Sequence, residues 1–308
     1  IGNVIASVTE KEIPELKGGS ITAKGNTQYN QYLRFSGLTY PRVEFQKDMG
    51  DTVSDMLYVQ RNSGAANAFF EYELEFAQNL ISDIKNTNLE DLDGLQVYIF
   101  NEPYTIVLGK VDGNKVILEL IGGAFSELVE EGQTKQFTVG EKTFTIKVTS
   151  IEESTKKVKL NVNGADLAEM IEGETESVDG TFIGISKVLT SSSGGSKDMV
   201  EILIGAKVIK LVDSNHKDSN FEEGVEIDKE KINGAFVNII AENTGSTLGI
   251  SKIRYRLTSA DDIYVKKDEV VSSYLKTQKK GLLANWDLRY GGLTTGTANT
   301  IAFTPTSG

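Results

Sequence analysis

Apolar residues fall at every second position along much of this chain. QYLRF at Gln31 to Phe35, YPRVEF at Tyr40 to Phe45, FEYELEF at Phe70 to Phe76 and TFTIKV at Thr143 to Val148 all alternate in this way. A period of two turns one apolar face to a core and one polar face to water, so these stretches predict half-buried β-strands. Helical spacing is scarce. Leu80, Ile81 and Ile84 form one short helix-like set and Leu167, Met170 and Ile171 another, each predicting no more than a turn or two.

The alternation repeats on a larger scale. VILEL, VKLNV and VEILI begin at Val116, Val158 and Val200, 42 residues apart each time, and Gly-Ala comes after each at Gly123, Gly164 and Gly205. An aromatic-led strand recurs before them, with Tyr104, Phe144 and Phe182. After the first two Gly-Ala pairs come acidic segments, SELVEEGQT and AEMIEGET, in which Glu130 matches Glu172 and Glu131 has no certain counterpart. The apolar residues and the glycine repeat best, which predicts a turn whose glycine is left-handed and whose acids face water. About three copies cannot close a propeller, so the repeat predicts a small domain of hairpins.

Turn-rich segments at Ile84 to Gly94 and Asp213 to Gly224 frame that domain, and strand patterns resume beyond them at Phe236, Ser251 and Thr300. Flanks of this size are small for separate sandwiches. The fold expected is therefore all-β, two β-sandwich-like domains with few short helices, the second inserted into the first. The outer domain is residues 1–90 plus 220–308 and the inserted one is 91–212.

Charge narrows the function. Thirty-two Lys and Arg against 44 Asp and Glu leave the 308-residue chain at -12, which repels nucleic acid unless a basic face is segregated. Only KTQKK at Lys276 to Lys280 resembles such a face, and it reads as a solvated loop. The absence of cysteine excludes disulfides, thiolate metal sites and a Cys nucleophile. There is no apolar run long enough for a transmembrane segment and no Asn-x-Ser/Thr sequon. The chain starts at Ile1 with no signal peptide of its own, as expected of a processed N-terminus.

Candidate chemistry is thin. His216 is the only histidine and lies in the polar linker, where it reads as a solvated loop residue rather than a catalytic base. Calcium wants six to eight oxygens, and loop acids supply them: the candidate ligands are Asp91 with Asp93, Asp213 with Asp218, and Asp261 with Asp262. None has EF-hand spacing, and Asp beside Gly is ordinary turn chemistry. The glycine-rich SSSGGS at Ser191 and RYGGLTTGT at Arg289 lack the Lys-Ser/Thr of a phosphate loop. Trp286 reads as a core or interface anchor before a ligand platform. No cofactor is expected beyond possible calcium, and no catalytic residue is nominated.

The order of many weak motifs carries more. LDGLQVYIFNEPYTIV, VILELIGGAFSELVEEGQTKQFTVGEKTFTIKVTSI, VKLNVNGADLAEMIEGET, DGTFIGISKV and VEILIGAKVIKL closely resemble the core of archaeal surface-layer proteins. INGAFVNIIAEN, SKIRYRLTSADDIYV and NWDLRYGGL resemble the part C-terminal to that core, and YNQYLRFSG and YPRVEFQKD the part N-terminal to it. The resemblance implies an extracellular, cell-surface structural protein that assembles side by side into a homo-oligomer or polymer, without catalysis. Family members are often anchored and glycosylated. A chain with neither an anchor nor a sequon fits an S-layer derivative that forms a filament or sheath. Terminal strand exchange, with Ile1 to Val8 completing a sheet in the next subunit, is one route to such a polymer, and pairing within its own chain is the alternative. The rival class is a calcium-dependent carbohydrate-binding module or glycan-active cell-surface enzyme. A cluster of aromatic rings, or two carboxylates across a cleft, would favour it.

Overall fold

The computed structural model describes residues 5–47, 53–61, 64–123, 125–191, 197–205, 207–284 and 286–293. The chain is all-β, built of antiparallel sheets, and among the described residues helix is confined to short 3-10 turns such as Pro14–Leu16 and Thr277–Leu282. The strand Phe70–Lys85 is its spine. Residues 71–76 pair with Asn26–Arg34 on one side, and Phe70 to Asp83 pair with Thr247–Leu257 on the other. Alternation decides which face is buried: Phe70, Tyr72, Leu74 and Phe76 enter the main core. Glu71, Glu73 and Glu75 line the opposite face and meet Arg256, Arg34 and Lys252 from the flanking strands.

Both predicted helical sets are extended. Leu80, Ile81 and Ile84 lie within the spine, where Leu80 is buried and Ile81 exposed. Met170 bridges Val158, with Leu167 hydrogen-bonded to Leu160. Residues four apart share a face in a strand as well as in a helix, so short sets of this kind do not discriminate.

Among the described residues two main cores stand out. The larger one draws on residues 8 to 120 and 209 to 290, and the second on residues 129 to 204 alone. The inserted unit is therefore smaller than the sequence boundaries of 91 and 212. The strands Gln96–Ile99, Glu102–Asp112, Lys115–Gly122 and Lys207–Asp213 belong to the sheet of the main body. The inserted unit is a sandwich of two four-stranded sheets. A small apolar joint of Val107, Ile121, Phe182, Leu203 and Val208 connects it to the body.

The repeat is a three-stranded meander. The first copy is Gln96–Ile99, Glu102–Asp112 and Lys115–Gly122; the second is Thr134–Val139, Lys142–Glu152 and Lys157–Val162. The third is Thr175–Val178, Thr181–Leu189 and Met199–Gly205. Each long middle strand carries one extra residue against its neighbour, at Val107, Thr149 and Ser186. Such bulges strengthen local twist and bend the sheet.

The three copies differ in where the chain goes on leaving them. Copies one and three exchange partners: Phe125–Glu130, which leaves copy one, pairs with Met199–Gly205 of copy three, and Lys207–Asp213, which leaves copy three, pairs with Lys115–Gly122 of copy one. The middle copy closes on itself through Ala165–Asp166. This exchange ties the inserted unit into the body on both of its entry strands.

At the N-terminus Ser7–Val8 pairs with Leu33 and Arg34 of the same chain, and the carbonyl of Ala6 accepts from the amides of Phe35 and Ser36. The rest of the proposed exchange strand, residues 1–4, lies outside the described residues, as do TIAFTP at Thr300 and all but Ser191 of SSSGGS.

Candidate functional site

The acidic turns before each meander are one structure used three times. In the turns at residues 92–95, 130–133 and 171–174 a glycine takes a left-handed φ, 76° at Gly94, 80° at Gly132 and 82° at Gly173. Its amide donates to a middle-strand carbonyl, that of Ile106, Val148 or Ile185, at 2.8–2.9 Å. The same strand residue donates back to the carbonyl of Leu95, Gln133 or Glu174. The third copy of this grip is therefore Leu92 to Leu95, ahead of the segment from which the repeat was first legible.

The residue before each glycine is the repeated acid, so Asp93, Glu131 and Glu172 are the equivalent positions. This corrects the pairing of Glu130 with Glu172: Glu130 corresponds to Ile171, whose amide, like that of Glu130, is held by the side chain at the fourth turn position. The carboxylates do not simply face water. Glu131 Oε1 accepts from the amide of Ile151 at 3.2 Å, and Glu172 Oε1 from that of Val188 at 2.6 Å. Both amides lie two residues past the bulge, where the ladder is interrupted and a donor needs another acceptor.

Asp93 departs from this pattern. It is one methylene shorter, and among the described residues its carboxylate has no hydrogen-bond partner. It lines a crevice of about 180 Å³ between body and inserted unit, with Glu172 and Lys156 on the other wall. Although its tip reaches water, partial desolvation by the crevice walls, reinforced by Glu172 and Glu90, pushes its carboxyl up to about 7; Lys187 opposes the shift. The crevice opens at Leu108, Lys110 and Gly173 into a wider groove of about 590 Å³. Charges alternate across its floor, with Glu119 in register with Lys210 and Lys210 with Glu226. Burial raises the Glu119 carboxyl, and the Thr175 hydroxyl, donating at 3.1 Å, opposes this.

The other calcium candidates are spent on local structure. Asp91 accepts from the amide of Asp83 at 2.7 Å. Asp213 and Asp218 do meet, both gripping Asn215: Asp213 takes its backbone amide at 2.8 Å and Asp218 its side-chain amide at 2.6 Å. Asp213 also accepts from Ile239 at 2.6 Å, and burial raises its carboxyl, while the Asn220 amide holds that of Asp218 below its ordinary value. Asp261 pairs with Lys276 at 2.7 Å, and Asp262 accepts from the Tyr58 hydroxyl and the Arg61 amide. Among the described residues no three His, Asp or Glu side chains converge on a metal position.

His216 is not a solvated loop residue. It is fully buried, its Nδ1 lies 2.9 Å from the carbonyl of Ala241, and its amide donates to the carbonyl of Asn114. It thus fastens the linker across two hairpins. Trp286 is also an anchor, stacked 5.6 Å from Phe100 and edge-on to Phe70 at 4.8 Å, with its indole N–H on Leu282. The KTQKK lysines at its two ends pair with Asp261 and Glu230. No helix of the described chain is long and apolar enough to cross a membrane. Comparison with protein-family models, with curated proteins and with solved structures found no match to this chain.

Proposed function

We propose that this chain is a non-catalytic, self-assembling structural subunit of the extracellular surface, of the kind that forms an archaeal surface layer or a filament or sheath derived from one. The observation that carries this reading is the placement of exposed apolar residues, among the described residues, on strands at the margins of both units. Phe45 and Val53 are 68% and 64% exposed on the hairpin of Arg42–Lys47 and Val53–Val59, and Phe125 and Leu128 are 57% and 42% exposed on the edge strand of the inserted sandwich. Strands at a sheet margin that carry apolar side chains recruit further strands, and two unlike margins on one molecule allow contacts to propagate. The motif order that resembles surface-layer proteins points the same way, and the repeated acids Glu131 and Glu172 are engaged in holding bulges.

Electron microscopy of concentrated protein tests it directly: sheets or fibres are expected, and a monodisperse monomer at every concentration would reject the reading. A second reading, a carbohydrate-binding or glycan-active module, draws on Asp93 and Glu172 lining one crevice. That crevice has no aromatic residue in its lining. Glycan-array binding abolished by Asp93→Asn would favour this reading over assembly.

A further inference from the structure

Inside the main body lies a cavity of about 40 Å³, lined by Tyr72 and Leu74 of the spine and by Val97, Ile106 and Leu118 of the first meander, among others. Its lining residues are buried apart from Ile253, which is half-buried, and among the described residues no polar atom faces it. The two tyrosines that contribute rings spend their hydroxyls elsewhere: Tyr72 donates to Gln31 Oε1 at 2.8 Å and Tyr255 to the carbonyl of Gly281 at 2.6 Å. One water needs about 10–15 Å³ and two to four polar partners, so the space is ample for water and the chemistry is wrong for it. Protein interiors leave few voids of this size, and the side chains around one forgo dispersion contacts that an apolar occupant would restore.

Leu283 differs from the rest of the lining. Every other lining residue lies on a strand, save Leu92 in the 3-10 turn Glu90–Leu92. Leu283 follows the 3-10 turn Thr277–Leu282 with φ 65° and ψ -37°, and the amide of Ala284 donates to the carbonyl of Leu282 at 2.8 Å. This is a γ-turn of the strained, positive-φ kind, unusual for a bulky side chain. The Leu283 carbonyl is held from two strands of the body, by Lys207 Nζ at 2.7 Å and the Tyr104 hydroxyl at 3.3 Å. Strain of this sort persists only where the surroundings impose it, and it gathers at ligand clamps. Withdrawal of Leu283 breaks no strand ladder and lets the backbone relax.

We propose that this cavity is a binding site for one small apolar molecule, the size of a noble-gas atom or a short alkane, and that Leu283 is the plug through which it enters. Occupancy gives the lining the contacts it lacks, and a ligand that binds only the folded chain stabilises it. The site lies inside one chain, so it does not depend on self-assembly.

Xenon is the probe. The unaltered chain under xenon pressure is expected to bind one atom saturably, read as a bound-xenon shift by xenon NMR. Val97→Ile adds a methylene from a wall strand and Leu283→Phe a ring from the plug; each, with unchanged far-UV circular dichroism, is expected to weaken binding several-fold. Lys207→Met removes a charged donor from the plug and is expected to speed xenon exchange about tenfold while leaving affinity within about twofold. Absence of saturable binding, or undiminished binding in a filled variant that keeps its fold, overturns the site. Unaltered exchange in Lys207→Met overturns Leu283 as the plug.

Discussion

Glu131 and Glu172 occupy the same position in successive copies of the repeat, each giving one carboxylate oxygen to a backbone amide two residues past a bulge, at Ile151 and at Val188. The bulge bends the middle strand, and the acid satisfies the amide that the bend takes out of the ladder. The repeated acid is thus a duplicated brace on the bulged strand.

Removal of the brace leaves a donor without a partner. Glu131→Ala is expected to lower stability by about 1–3 kcal/mol, and Glu131→Gln, which keeps a carbonyl acceptor, by distinctly less. Urea denaturation at pH 7 measures both. Equal losses would show that the carboxylate acts through charge alone.

The turn glycines separate strain from crowding. An added Cβ at Gly132 meets open space, whereas at Gly173 it would come within 2.9 Å of Leu108 Cδ1 and 3.1 Å of the Val107 carbonyl. Gly132→Ala is expected to lose about 1–2 kcal/mol from the left-handed backbone alone. Gly173→Ala is expected to lose more, because it also presses on the joint between the units. The ordering of the two Tm values checks this.

The raised carboxyl of Asp93 sets a pH dependence. Its folded value of about 7 lies above the ordinary 3.8, so the folded chain holds that proton more tightly than the unfolded one. This contribution is fully present below about pH 4 and is lost as pH rises through 7. Asp93→Asn is therefore expected to raise the free energy of unfolding at pH 8, by no more than about 1 kcal/mol because water reaches the group, with the gain vanishing towards pH 4 in urea denaturation. A constant gain across that window would remove Asp93 from the account.

The polar face of the spine holds Glu71 and Arg256 together at 2.6 Å, with side chains only 7% and 17% exposed. Arg256→Met should strand a buried carboxylate and cost about 3–5 kcal/mol. Glu71→Gln combined with Arg256→Met should recover much of that loss. A double variant as unstable as Arg256→Met alone would assign the cost to lost packing of the guanidinium on Phe221, 4.0 Å away.

The sequence by itself determined the strands and much of the order within them, because a period of two is a local property that each segment carries unaided. FEYELEF at Phe70 to Phe76 reads directly as one buried and one charged face, and the 42-residue repeat reads as recurring strand pairs, while their three-stranded form and the place of the first copy in the main body do not. Tertiary structure alone decided the rest. That Phe125–Glu130 leaves its own copy for Met199–Gly205 depends on which sheet edge is free once the second core closes. The equivalence of Glu131 with Glu172 depends on where amides emerge at a bulge, and the burial of His216 on two hairpins separated in sequence. Hydrogen bonds and burial between distant segments leave no periodic trace in a chain, so those relations exist only once it has folded.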